Sequence, residues 1–125
     1  MNFSRTAILP SAAMGVGNIY SQAFNMDKFA GCSFQPNWTG NPTGVFTVWV
    51  SNDYGSSPAL KDSANPFSVG TWTNLGASIP ANPAGTSGNT FIPIYAACSY
   101  FIILQYAGSS GSGIMGGFFA GKYNG

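Results

Sequence analysis

A chain of 125 residues with 45% hydrophobic and 15% aromatic content can close one core without metal or disulfide help, which excludes a disordered tail or linker. Only 6% of its residues are charged, against roughly 25% in an average soluble domain, and it has neither His nor Glu. The net charge of +1 lacks the cationic footprint of a nucleic-acid binder and offers no polybasic membrane patch.

Surface charge is what normally keeps a free monomer from associating. Here Ser, Thr, Asn, Gly and aromatic rings must cover most of the surface, so the composition points to surface buried against other subunits. Residues 6–9 form too short an apolar run before Pro10 for a signal peptide, and no targeting segment is expected. Cys32 and Cys98 have no His to complete a structural zinc site; they could form one bridge, and free thiols are the preferred reading.

Seventeen glycines and eight prolines cut the chain into short segments, and no twelve-residue stretch carries helical spacing without interruption. The pattern predicts an all-β, antiparallel β-sandwich or jelly-roll-like domain spanning residues 1–125, with residues 1–17 read as an extended N-terminal arm. A first strand is expected over residues 6–9, and Ala12-Ala13-Met14 is read as no more than a turn. Residues 18–25 follow as a strand with Ile19, Ser21 and Ala23 on one face and Tyr20, Gln22 and Phe24 on the other. Residues 29–35 form the next, with Ala30, Cys32 and Phe34 pointing one way, and Pro36 ends it.

The cleanest strand is residues 45–51, with Phe46, Val48 and Val50 facing the core and Val45, Thr47, Trp49 and Ser51 facing away. The turn Thr39-Gly40-Asn41-Pro42-Thr43-Gly44 introduces it, and Asn52 and Asp53 close it. A long polar loop covers residues 55–65, a strand residues 67–75, and a second loop residues 76–89. Pro93 confines residues 90–95 to an edge or a crossing between sheets. Residues 100–106 are apolar on both faces and predict a central strand covered on both sides. The run GSSGSG at 108–113 reads as a hairpin to a closing strand over 114–123, which makes seven or eight strands.

Catalytic chemistry has little to work with. No Ser has a base for a triad, neither Cys has a His to activate it, and no glycine run has the Lys of a phosphate loop. We read a non-enzyme with no cofactor and no metal. Aromatic side chains are the recognition chemistry on offer, so Trp38, Trp49, Trp72, Tyr54 and Phe67 are the candidate interface or stacking residues.

The stretch WTGNPTGVFTVWVSNDY, residues 38–54, resembles a family of small all-β structural proteins of tailed phages. That family carries a pattern close to W-T-G-x-P-T-G-x-F-x-V-x-x-S-x-D-Y. It continues with a W-T-x-L segment, a strand ending in Tyr, an S-G-x-G turn and a closing strand with G-K. Here these are residues 72–75, 101–106, 110–113 and Gly121-Lys122, in order over most of the chain. Family members often have Arg where this chain has Ile103. The resemblance implies a virion component assembled in the host cytoplasm, in the first place a capsid decoration or cement protein. Its partners would be other copies of itself or the major capsid protein, with no nucleic acid and no membrane. A tail or fibre component, or a carbohydrate-binding sandwich module using Trp49, is the alternative.

Overall fold

The computed structural model describes residues 3–7, 12–26, 29–53, 70–94 and 101–123. Among them are eleven strand segments and no helix: β1 (Phe3–Ala7), β2 (Ala12–Met14), β3 (Gly17–Tyr20), β4 (Phe24–Asn25), β5 (Phe29–Trp38), β6 (Thr43–Ser51), β7 (Thr73–Asn74), β8 (Gly88–Asn89), β9 (Ile92–Ile94), β10 (Phe101–Ser110) and β11 (Gly113–Tyr123). They form two antiparallel sheets, an all-β sandwich. Sheet I runs β1-β11-β5-β8, with β2 also on β11 and β9 on β5; sheet II runs β3-β10-β6-β7, with β4 also on β10. The count exceeds the expected seven or eight because three of the pairings last only two residues.

The core lies between the sheets and follows the period of two. Cys32, Phe34 and Trp38 from β5 and Met115 and Phe119 from β11 meet Phe46 and Val48 from β6 and Ile102, Leu104 and Tyr106 from β10. Phe24 stacks on Phe119 at 4.1 Å between centroids, and Phe34 tilts against Phe119 at 5.4 Å. The Tyr106 ring lies where a Cβ on Gly44 would sit, 2.7 Å away, so both residues are fixed by the same close approach. Its hydroxyl is buried without a hydrogen-bond partner, and that burial pushes the phenol pKa up.

Two bulges alter the expected faces. Tyr20 pairs with Gln105 but Phe24 pairs with Ile102, so residues 21–23 stand opposite only two residues of β10. Ser21 fills the irregularity: its Oγ accepts the Leu104 N–H at 2.9 Å, while its own N–H donates to the Leu104 carbonyl at 2.8 Å. The extra residue turns Phe24 into the core on the same side as Ile19, against the simple alternation. On β5 the register slips between Lys122 and Tyr123, so Ala30 is left exposed and Phe29 packs inward instead.

Other expectations are corrected by pairing. Ala12-Ala13-Met14 is a strand on β11 rather than a turn, and Met14 is buried in the core. Within the stretch read as an extended N-terminal arm, β1 and β2 lie along β11, a pairing that leaves that reading standing. Pro36 does not end its strand: β5 continues to Trp38, because Pro36 faces Gly117 of β11, whose backbone at φ +135° bends around it. Pro93 does sit on an edge, opposite Ser33 at the rim of β5. Strand β10 is covered on both faces as expected, since Ile102 and Ile103 are both fully buried. The polar loop at 55–65 lies outside the described residues.

GSSGSG is not a hairpin, because β10 and β11 belong to different sheets. The chain crosses from sheet I to sheet II at residues 39–42 and returns at residues 111–112, and the two crossings bind each other. Thr39 N–H donates to the Ile114 carbonyl at 3.0 Å and Asn41 N–H to the Ser112 carbonyl at 2.9 Å. Ser112 N–H returns a bond to Asn41 Oδ1 at 3.1 Å. Gly40 and Gly111 sit at φ +82° and +74°, and a Cβ on either would strike the backbone of the other crossing. The two glycine-rich motifs, 39–44 and 110–113, are one double corner.

Candidate functional site

The three tryptophans have three different surroundings. Trp38 closes β5 and points into the core, where it is 5% exposed and tilts against Phe46 at 5.7 Å. Its Nε1–H donates to the Thr86 carbonyl at 2.8 Å, and a Cβ on Gly88 would come within 3.1 Å of its six-membered ring. Residues 75–90 are thereby held as a strap. The strap follows the free edge of β6: Leu75 N–H donates to the Val48 carbonyl, Phe46 N–H to Asn82 Oδ1 and Gly44 N–H to the Pro83 carbonyl. It then turns around Trp38 and joins the edge of β5 as β8 and β9. Trp38 is thus the pivot of a sheet-to-sheet crossing, a packed core residue and not an exposed interface or stacking residue.

Trp49 lies on the outer face of sheet II, half-buried and directly opposite Ile103. Its Nε1–H donates to Gln105 Oε1 at 2.9 Å, two residues along β10 on the same face. The register places Tyr20, Gln105 and Thr47 in one row, with Ile103, Trp49 and Asn74 in the next. Trp72 is half-buried just before β7. Tyr54 and Phe67 lie outside the described residues; on that face the register sets Trp49 beside the row of Gln105 and Tyr20.

Sequence reasoning missed the outer face of sheet I. Strand β11 reads GIMGGFFAGKY, apolar at both odd and even positions, so alternation alone did not say which side faced out. The pairing does: Met115 and Phe119 are buried, while Ile114 and Phe118 are 49% and 47% exposed. Ile114 stands opposite Ala13 and Phe118 opposite Gln35, both exposed themselves.

Among the described residues, charge contributes one clasp. Past the end of β6, Asp53 Oδ1 accepts the Thr71 N–H at 2.7 Å and the Ser51 hydroxyl at 2.9 Å, joining the two sides of the 54–69 segment. The Thr71 bond first, and the Ser51 bond second, hold this carboxyl below the usual Asp range. A depressed carboxylate contributes stability above its unfolded pKa and loses it as pH falls through the lower folded value. A carboxyl-detected NMR titration is therefore expected to give Asp53 a midpoint below about 3.9, and Asp53→Asn to flatten the acid side of the stability profile. A midpoint at or above the ordinary value would show the clasp is open in solution. Cys32 is a buried free thiol whose pKa burial pushes up to about 12, far from a reactive nucleophile. Among the described residues no group of three His, Cys, Asp or Glu side chains is placed to hold a metal ion.

No protein-family model matches the chain, and no curated protein sequence matches it. A solved structure does: the crystal structure of SPBc2 prophage-derived protein YomS superposes with a TM-score of 0.52 at 11% sequence identity, covering 95% of this chain and 93% of that one. At that identity the likeness is one of fold, and it extends over nearly the whole of both sandwiches.

Proposed function

We propose that this chain is a non-enzymatic bacteriophage structural protein, acting as a capsid decoration or cement subunit through packing of its sheet faces. The observation that carries the reading is the outer face of sheet I, where Ile114 and Phe118 present apolar surface in a chain with four basic and three acidic residues. Large apolar side chains on a scarcely charged sheet face favour burial against a neighbour. Support also comes from the tailed-phage resemblance of residues 38–54 and from the prophage origin in the name of the structural neighbour.

A cement subunit works by covering joints between other subunits. Apolar burial at about 25 cal/mol per Å² supplies the gross stabilisation, less the cost of association. Sedimentation velocity is expected to show self-association, and co-sedimentation to show retention on capsids from the source particle. Ile114→Ser with Phe118→Ser is expected to weaken either contact at least tenfold, with the far-UV spectrum unchanged. A wild-type monomer with no affinity for capsids would overturn the reading, and retention on tails alone would move the protein to a tail or fibre position.

A further inference from the structure

We propose that the outer face of sheet I closes on the same face of a second copy, in a two-fold dimer whose β11 strands run antiparallel across the joint. The inference rests on the reading of this face as the packing face, and names what the face packs against. The outward positions of β11 are Ile114, Gly116, Phe118 and Ala120, because Met115 and Phe119 between them are buried. Along the strand these positions alternate in size: large, empty, large, small. Reversing the order about Gly117 sets each large side chain over a small position, with Ile114 on the partner's Ala120 and Phe118 on the partner's Gly116. A two-fold axis that lies in the joint and crosses the strands at Gly117 performs this reversal. An axis along β11 would instead set Phe118 on the partner's Phe118 and leave both Gly116 positions unfilled.

The neighbouring strand obeys the same symmetry. Gln35 stands opposite Phe118 and Asn37 opposite Gly116, and both amides are exposed. The axis lays Gln35 over the partner's Asn37, and each amide offers the other a donor and an acceptor. Nothing inside the subunit demands glycine at 116: its φ is not positive, and a Cβ there would meet only Asn37 Oδ1, at 3.4 Å. Glycine inside a strand costs stability, and close approach of another surface is a reason to keep it. Charge agrees with the reversal. The register sets Arg5 beside Ala120 and Lys122 beside Gly31, at one end of the β11 ladder, and the axis carries that end to the partner's Ile114 end. The face is about four strands wide and four outward rows long, roughly 16 positions, where standard interfaces use about 20–30 residues a side. The dimer is therefore expected to be weak, with a Kd of roughly 1–100 μM.

Sedimentation equilibrium of the full chain is the test, with monomer expected to give way to dimer across that concentration range. Gly116→Leu should weaken the dimer at least tenfold with the far-UV spectrum unchanged, since the subunit itself has room for the side chain. Phe118→Ala should weaken it several-fold. Combining the two should give a tighter dimer than Gly116→Leu alone, because the added side chain then faces the partner's emptied position. Should a variant fail to fold, the wild type answers by itself. In a mixture of isotope-labelled and unlabelled chains, filtered NOEs are expected between the Phe118 ring of one copy and Gly116 Hα of the other. A wild type that stays monomeric at millimolar concentration, a Gly116→Leu chain that dimerises like wild type, a double variant no tighter than Gly116→Leu, or absence of those NOEs would each overturn the proposal. Capsid retention is read separately. A monomer retained on capsids removes the dimer and leaves the cement role, whereas a dimer that capsids do not retain does the reverse.

Discussion

Gly111→Ala is expected to lower the stability of the fold by about 3 kcal/mol, read as a shift of the urea midpoint at constant slope. Gly111 sits at φ +74°, where an L side chain costs about 1–2 kcal/mol by itself. The larger share comes from space. A Cβ there would overlap the Asn41 carbonyl oxygen and approach Pro42 Cα to 3.1 Å, and those atoms are backbone that cannot rotate away. Relief requires the two crossings to separate, which breaks the paired bonds of Asn41 and Ser112. Gly76→Ala supplies the comparison, since Gly76 has φ +74° with nothing within 4 Å of an added Cβ. It should cost only the conformational part, about 1 kcal/mol. Equal losses at the two positions would show that the corners do not bear on one another in solution.

That double corner also explains what was legible in the sequence. The strand over 45–51 could be read with its faces, because Phe46, Val48 and Val50 alternate cleanly with Val45, Thr47 and Trp49. Strand β10 could be placed centrally because Ile102, Ile103 and Leu104 leave no polar face. What failed were steps that depend on partners far along the chain. Nothing local says that GSSGSG leaves one sheet for another, since a flexible hairpin and a crossing use the same residues. The Ser21 bulge is set by Leu104, 83 residues away, and reverses the face of Phe24 after a segment that alternates perfectly. The candidate faces were half legible for the same reason. Trp49 was placed outward correctly by period two, whereas Ile114 and Phe118 emerged only once Met115 and Phe119 had found the core.

Trp38→Ala is expected to cost about 3–5 kcal/mol, a large part of the 5–15 kcal/mol that holds a typical domain together. Trp38 is large, 5% exposed and packed on Phe46, so its removal leaves a cavity that the two sheets cannot fill without moving. It also releases the Thr86 carbonyl, where the strap turns from sheet II to sheet I. Trp38→Phe separates the two effects, because it keeps an aromatic ring and deletes only the indole donor and part of the volume. Its hydrogen-bond loss is expected near about 1 kcal/mol, since Thr86 lies where water can replace the donor. Trp49→Ala belongs to the same series as the surface case. Trp49 is half-buried on the outer face of sheet II, where its indole N–H donates to Gln105 Oε1, so its loss should cost clearly less than that of Trp38. Urea denaturation of the three variants gives the order directly. If Trp49→Ala proves the more damaging, the pivot lies on the outer face of sheet II, and the division into a core tryptophan and an outer-face tryptophan is wrong.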